Sequence, residues 1–339
     1  MSRSLAIIPI GIFLGVTLAV SSAHSAGTGD GVLLVANKGA HTLGIVNPVE
    51  NKQVAEVPED GITGHEVIAS PDGRTAYVPI YGNSGVGKPG TDGRNIVVID
   101  IASRKITGNV EFDHGVRPHC PMFGPKDGML YVSTELDKTI TIIDPHTLKI
   151  VGTISTDQPE SHMFVLSHDG RRGYTANVGP GTVSVLDIKA RKPITVIPIS
   201  GSTQRIAISP DDSMVFTSDQ TKPQLAVIDT SSNKIKKWIP LPGLGYGGAA
   251  TSNGRWLVLA VPTVNKVAVI DLKTLTVAHT IDVPRAPQEV LIRPDDQVAY
   301  VSCDSSHQIA EISTSDWTVK NLIEAGKGTD GLAWAKAGS

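Results

Sequence analysis

A turn signal recurs along this chain at a fixed step, and no other feature of the sequence limits the fold as tightly. Asp-Gly, Asp-Asp or Asn-Gly pairs close on Gly170, Asp212, Gly254 and Asp296, each forty-two residues after the last, and the same step reaches Gly338. Backwards, Gly128 lies forty-two before Gly170 and Gly31 forty-two before Gly73, so one interval, the fifty-five residues from Gly73 to Gly128, breaks the rule. A period of that size, kept along a whole chain, specifies an array in which each unit buries its apolar faces on its neighbours.

The unit after Gly170 contains GYTANV, TVSVLDI, ITVIPI and QRIAISPDD, four apolar runs of strand length, rich in β-branched residues and separated by Gly, Pro, Asn or Lys-rich turns. Helical periodicity is missing. Four short strands in some forty residues, repeated, is the signature of a propeller blade. The second and third strands recur in seven copies, from LLVAN with TLGIVN to AYVSC with QIAEIS, and the first strands run from HEVIASPDG to DGLAWAKAG. The last first strand has nothing after it, while the chain starts on a second strand. The expected fold is therefore all-β: a seven-bladed β-propeller of four-stranded antiparallel blades, its ring closed by the C-terminal strand joining the N-terminal blade. With aromatic residues at 4%, the core must come from small and β-branched side chains.

Residues 1–26 carry one Arg, an apolar run from Leu5 to Val20 and then small residues, the pattern of a secretory signal peptide cleaved between Ala23 and Ala26. A retained anchor is the alternative, but the run is short for a span and contains Pro9. The expectation is a periplasmic or secreted monomer, residues 27–339 forming one propeller domain with no membrane span after cleavage. Net charge of -3 and a pI near 6.4, without a Lys/Arg run, give no attraction to nucleic acid. Cys120 and Cys303 fall in non-adjacent repeats and are expected to stay unpaired.

Ser-Pro-Asp-Gly-Arg followed by AYVPI, with LYVST, YTANV and TVSVLD elsewhere, resembles the bacterial YVTN-repeat seven-bladed propellers over residues 31–338. The resemblance implies the fold and a neighbourhood of lactonase-like, streptogramin-lyase-like and amine-dehydrogenase β-chain-like propellers. The repeat motif does not carry their functional residues, so none is transferred.

Function is sought where the chain departs from its own repeat. The insertion PIYGNSGVGKPGTDGRN, Pro79 to Asn95, reads as a flexible Gly-rich loop, either a lid or partner-docking element or a tolerated surface insertion. Six residues before each closing turn stand His65, His119, His162, Gln204, Tyr246, Gln288 and Asp330. Superimposable blades place the three His side by side at the channel mouth of blades 1 to 3, where imidazoles could hold Zn, Cu, Ni or Fe. The alternative is a polar, water-filled mouth whose histidines bond neighbouring loops.

Glu66 and Glu160 are candidate bases, and Arg117 a candidate anion clamp. Arg205, Tyr246 and Glu289 are candidate ligand-binding groups on the same ring. His41, His114 and His307 differ in register and read as surface histidines. Asp100, Asp144, Asp187, Asp229 and Asp271 end the third strands blade after blade and read as turn residues. Neither a Gly-x-Ser-x-Gly elbow nor an HExxH helix occurs.

Two classes of function remain. One is an exported binding protein holding a metal ion, a small ligand or a protein partner at the mouth. The other is a metal-assisted hydrolase or lyase, lactonase-like, acting on a small polar or anionic substrate.

Overall fold

The computed structural model describes Met1 and residues 30–337. Apart from Met1, the segment expected as a signal peptide lies outside the described residues. Seven four-stranded antiparallel sheets stand in a ring. The blade shared by the two ends of the chain, blade 1, pairs Thr329–Lys336 with Gly31–Asn37, followed by Thr42–Asn47 and Lys52–Pro58. The first strands of the next six blades are Ile68–Ala69, Pro118–Phe123, Ser161–Leu166, Thr203–Ile208, Gly248–Ala250 and Pro287–Ile292. Counted this way, the His-bearing blades are the second, third and fourth, one later than the sequence numbering.

The repeat has a backbone cause. Gly73, Gly128, Gly170, Asp212, Gly254 and Asp296 all have φ between 58° and 73°. A left-handed residue is needed to turn from first to second strand, and Gly, Asn and Asp tolerate that region best. The third-strand aspartates do what their regularity implies. Asp100 accepts from the Ser103 N–H at 2.7 Å, Asp144 from His146 at 2.9 Å and Asp187 from Ala190 at 2.7 Å.

Burial follows the blade. Second and third strands, such as Leu130–Thr134 and Thr139–Asp144, are almost wholly buried, because both sheet faces pack on neighbouring blades. Fourth strands such as Lys149–Ser155 are mostly exposed. The core lies between blades: Ile142, Phe164, Tyr174, Val185 and Ile206, from three consecutive blades, belong to one buried cluster. Cys120 and Cys303 are buried and unpaired. Among the described residues no helix is long and apolar enough to cross a membrane.

Candidate functional site

The shared register brings the three histidines together. Ring centroids of His119 and His162 lie 3.6 Å apart, and those of His65 and His119 5.6 Å apart. Tyr81 closes over all three, at 4.9 Å from His65, 5.1 Å from His119 and 5.4 Å from His162. His119 and His162 are buried and His65 half-buried.

Burial holds all three imidazoles neutral. It pushes His65 down to about 3, against the pull of Asp330, and it lowers His162 despite Glu135. It takes His119 well below the ordinary value, with His162 and His65 adding to the effect. Nδ1 of His119 is buried without a hydrogen-bond partner. Ring packs on ring here, and among the described residues no group of three or more His, Cys, Asp or Glu side chains is arranged to hold a metal ion.

Glu135 stands behind the imidazoles. Its Oε2 accepts from the Tyr81 hydroxyl at 2.7 Å and pairs with His162 Nδ1 at 3.0 Å, while Oε1 lies 3.5 Å from Arg117 Nη1. Burial opposes its charge, but the bonds from His162 and Tyr81 and the Arg117 guanidinium outweigh it and hold its pKa below the usual value. Arg117 also donates to Asp92 Oδ1 at 2.6 Å, to the Lys88 carbonyl at 2.7 Å and to the Gly85 carbonyl at 3.4 Å.

Those three partners belong to the insertion, which is therefore not a loose loop. Its ends lengthen the second and third strands of blade 2 to Thr75–Gly82 and Asp92–Asp100, with Gly82 opposite Asp92, and Arg117 staples the turn between them. Arg117 faces protein partners rather than an open anion site. Glu160, the other candidate base, accepts from the Gly179 N–H at 2.7 Å.

The other side of the mouth is charged, with Arg205 Nε buried and unpartnered. Arg205 reaches across the ring to Glu66, to Glu289 at 2.6 Å and to Asp330 at 3.0 Å, with its guanidinium 4.8 Å from the Tyr246 ring centroid. Burial raises Glu66 above the usual carboxylate range, Arg205 opposing it and Glu289 and Asp330 reinforcing it. Gly247 and Gly331 stand beside these acids. A Cβ on Gly247 would lie 2.8 Å from Glu289 Oε2, and one on Gly331 2.6 Å from Glu66 Oε2. Gln204 donates to the Tyr246 hydroxyl at 2.9 Å. Lys38 bridges Asp330 at 3.0 Å and Asp304 at 3.2 Å; burial opposes its charge, but the two carboxylates raise its pKa.

Glu135, Tyr81 and Lys38 were missed from sequence, although a signal exists. Lys38, Glu135, Val178, Gln220, Pro262 and Asp304 each stand just past a second strand, and Tyr81, inside the lengthened second strand of blade 2, lies eight residues after Gly73 as Val178 does after Gly170, a second register that also points to the mouth. The larger cavities lie elsewhere. One of about 600 Å³ opens at the opposite ends of the strands beside Pro48, Arg293, Trp334 and Lys336, and clefts of about 500 and 360 Å³ repeat it at other blade junctions. A gap of about 10 Å³ lies between the fifth and sixth blades, lined by Ile206, Phe216, Leu257 and Leu259 beside Arg205 and Tyr246.

Comparison with known proteins gives a family and a fold. Residues 90–291 match the family described as the cytochrome D1 heme domain. Antigen Lp49 of Leptospira interrogans is 25% identical over 210 residues, covering 56% of this chain and 46% of that protein. The chain thus spans about half the length of this curated relative.

Among solved structures, a functionally unknown protein from Desulfotomaculum acetoxidans superimposes with a TM-score of 0.75 at 11% identity, over 90% of this chain and 99% of that one. Kuenenia stuttgartiensis hydrazine synthase gives 0.70 at 16%, over 84% and 93%. The dihydro-heme d1 dehydrogenase NirN, in complex with DHE, gives 0.65 at 15%, over 89% and 74%. At these identities the likeness concerns the fold.

Proposed function

The chain belongs to the cytochrome D1 heme domain family, and from that premise we propose that it is an exported binding protein that takes up a transition-metal ion at His65, His119 and His162. The group in the family's description, a heme, does not fit the residues present. A carboxylate-bearing tetrapyrrole needs an open slot and cations with free donors. Here Arg117 is engaged by Asp92, Glu135 and insertion carbonyls, and Arg205 by Glu66, Glu289 and Asp330. Tyr81 packs on the imidazoles, its ring 5.1 Å from that of His119.

A bare metal ion asks for less. Neutral imidazoles are its preferred nitrogen donors, and Zn, Cu, Ni and Fe all accept them. The observation that carries the reading is the buried, unpartnered Nδ1 of His119 within a cluster of neutral rings. A buried polar atom left unsatisfied costs about 1–3 kcal/mol, which coordination would remove. Uptake exchanges ring-on-ring contact for coordination, with His65, the half-buried member, the freest to turn.

Hydrolysis or lysis is supported less well. Of the proposed bases, Glu66 is bonded to Arg205 and Glu160 to backbone, so neither is free to activate water on an imidazole-bound metal.

Metal analysis of the purified protein beside its His162→Ala variant tests the proposal. The expected result is bound metal in the first and a marked loss in the second. Protein that contains no Zn, Cu, Ni or Fe and takes up none overturns it.

A further inference from the structure

Among the described residues Glu135 is the one carboxylate hydrogen-bonded to an imidazole of the cluster, through His162 Nδ1 at 3.0 Å. The Tyr81 hydroxyl donates to Oε2 at 2.7 Å and the Arg117 guanidinium faces Oε1, so both carboxylate oxygens stand as acceptors. The hydrogen of that contact therefore sits on Nδ1, and the neutral ring keeps its lone pair on Nε2. We propose that Glu135 is the positioning residue of the site, fixing His162 as the Nδ1–H tautomer and presenting Nε2 as the donor atom.

This rests on the imidazole reading above and names the group that prepares the site. The same carboxylate accepts from Tyr81 and faces Arg117, which grips Asp92, Lys88 and Gly85 of the insertion. Ring orientation and insertion are thus held by one side chain. Carboxylates behind ligating histidines fix the tautomer and raise the basicity of the free nitrogen.

Long-range ¹H–¹⁵N correlation spectra of the metal-free protein and of Glu135→Gln, each followed by Zn²⁺ titration, test the assignment. In the native protein His162 is expected to show a protonated Nδ1 and a bare Nε2. A Gln amide donates as well as accepts, so the variant should admit the other tautomer and bind Zn²⁺ about 10–100-fold more weakly.

A native His162 protonated on Nε2 overturns the proposal, even if the variant fails to fold. So does a Glu135→Gln variant with an unchanged tautomer. Should the native protein bind no Zn²⁺ while its tautomer is Nδ1–H and the variant loses that preference, the metal reading falls and the role of Glu135 in orienting the ring stands.

Discussion

The two sides of the propeller mouth are built by the same repeat and behave in opposite ways. Blades 2 to 4 contribute neutral rings, His65, His119 and His162 under Tyr81, with one buried nitrogen unsatisfied. Across the ring, Arg205 of blade 5 gathers carboxylates from blades 2, 7 and 1, and Lys38 closes the set onto Asp304. Here carboxylates outnumber the cations they surround, and Glu66 is pushed above the usual carboxylate range. The charged side locks blades together across the channel and leaves Arg205 Nε buried without a partner, whereas the neutral side leaves an imidazole nitrogen, His119 Nδ1, in the same state. A metal ion needs a lone pair, which a neutral imidazole carries and a guanidinium does not.

Breaking the charged side should have the largest effect on stability. Arg205→Met leaves Glu66, Glu289 and Asp330 buried without their shared cation, and loss of one partner of a buried ion pair costs about 3–5 kcal/mol. Urea unfolding of the variant against the native protein measures it. A loss below about 1 kcal/mol would mean that the two sides do not differ in this way.

The neutral side should show itself through pH. His65 titrates near 3 when folded and near 6.5 when unfolded, so between these values the unfolded chain binds the extra proton. The stabilisation from keeping the ring neutral is present above 6.5 and is lost as pH falls toward 3. Its slope is at most about 1.4 kcal/mol per pH unit, and less for a half-buried ring. His65→Gln should flatten the stability profile over that range, read by thermal unfolding from pH 7 to pH 4. An unchanged profile would show that His65 charges freely in the folded protein.

The repeat itself sets the baseline. Asp187→Asn keeps a side-chain acceptor for the Ala190 N–H and should cost no more than about 0.5–1 kcal/mol. Metal binding in this variant should equal that of the native protein. A larger loss would give the turn aspartates a part in the site that their hydrogen bonds do not suggest.

The fold was legible because its turn needs a left-handed backbone at a fixed place, and Gly or Asp marks that place every forty-two residues. The histidines were legible for the same reason: register, counted from that turn, is spatial adjacency in a propeller. Glu135 and Tyr81 escaped because they lie in a second register, at the far ends of the second strands rather than on the first strands. Arg205 was visible as a polar residue but not as a clamp, since its partner Glu66 is 139 residues away and no local spacing encodes a contact across the ring. The insertion was misread as loose because its Gly content conceals Asp92, whose carboxylate Arg117 holds.

The most direct measurement is a calorimetric titration of the metal-free protein with Zn²⁺, run beside His119→Ala. One equivalent bound by the native protein and at least a tenfold weaker affinity in the variant is the expected result. Failure of the native protein to bind Zn²⁺, or binding that His119→Ala leaves untouched, would contradict a metal site on the neutral side of the mouth.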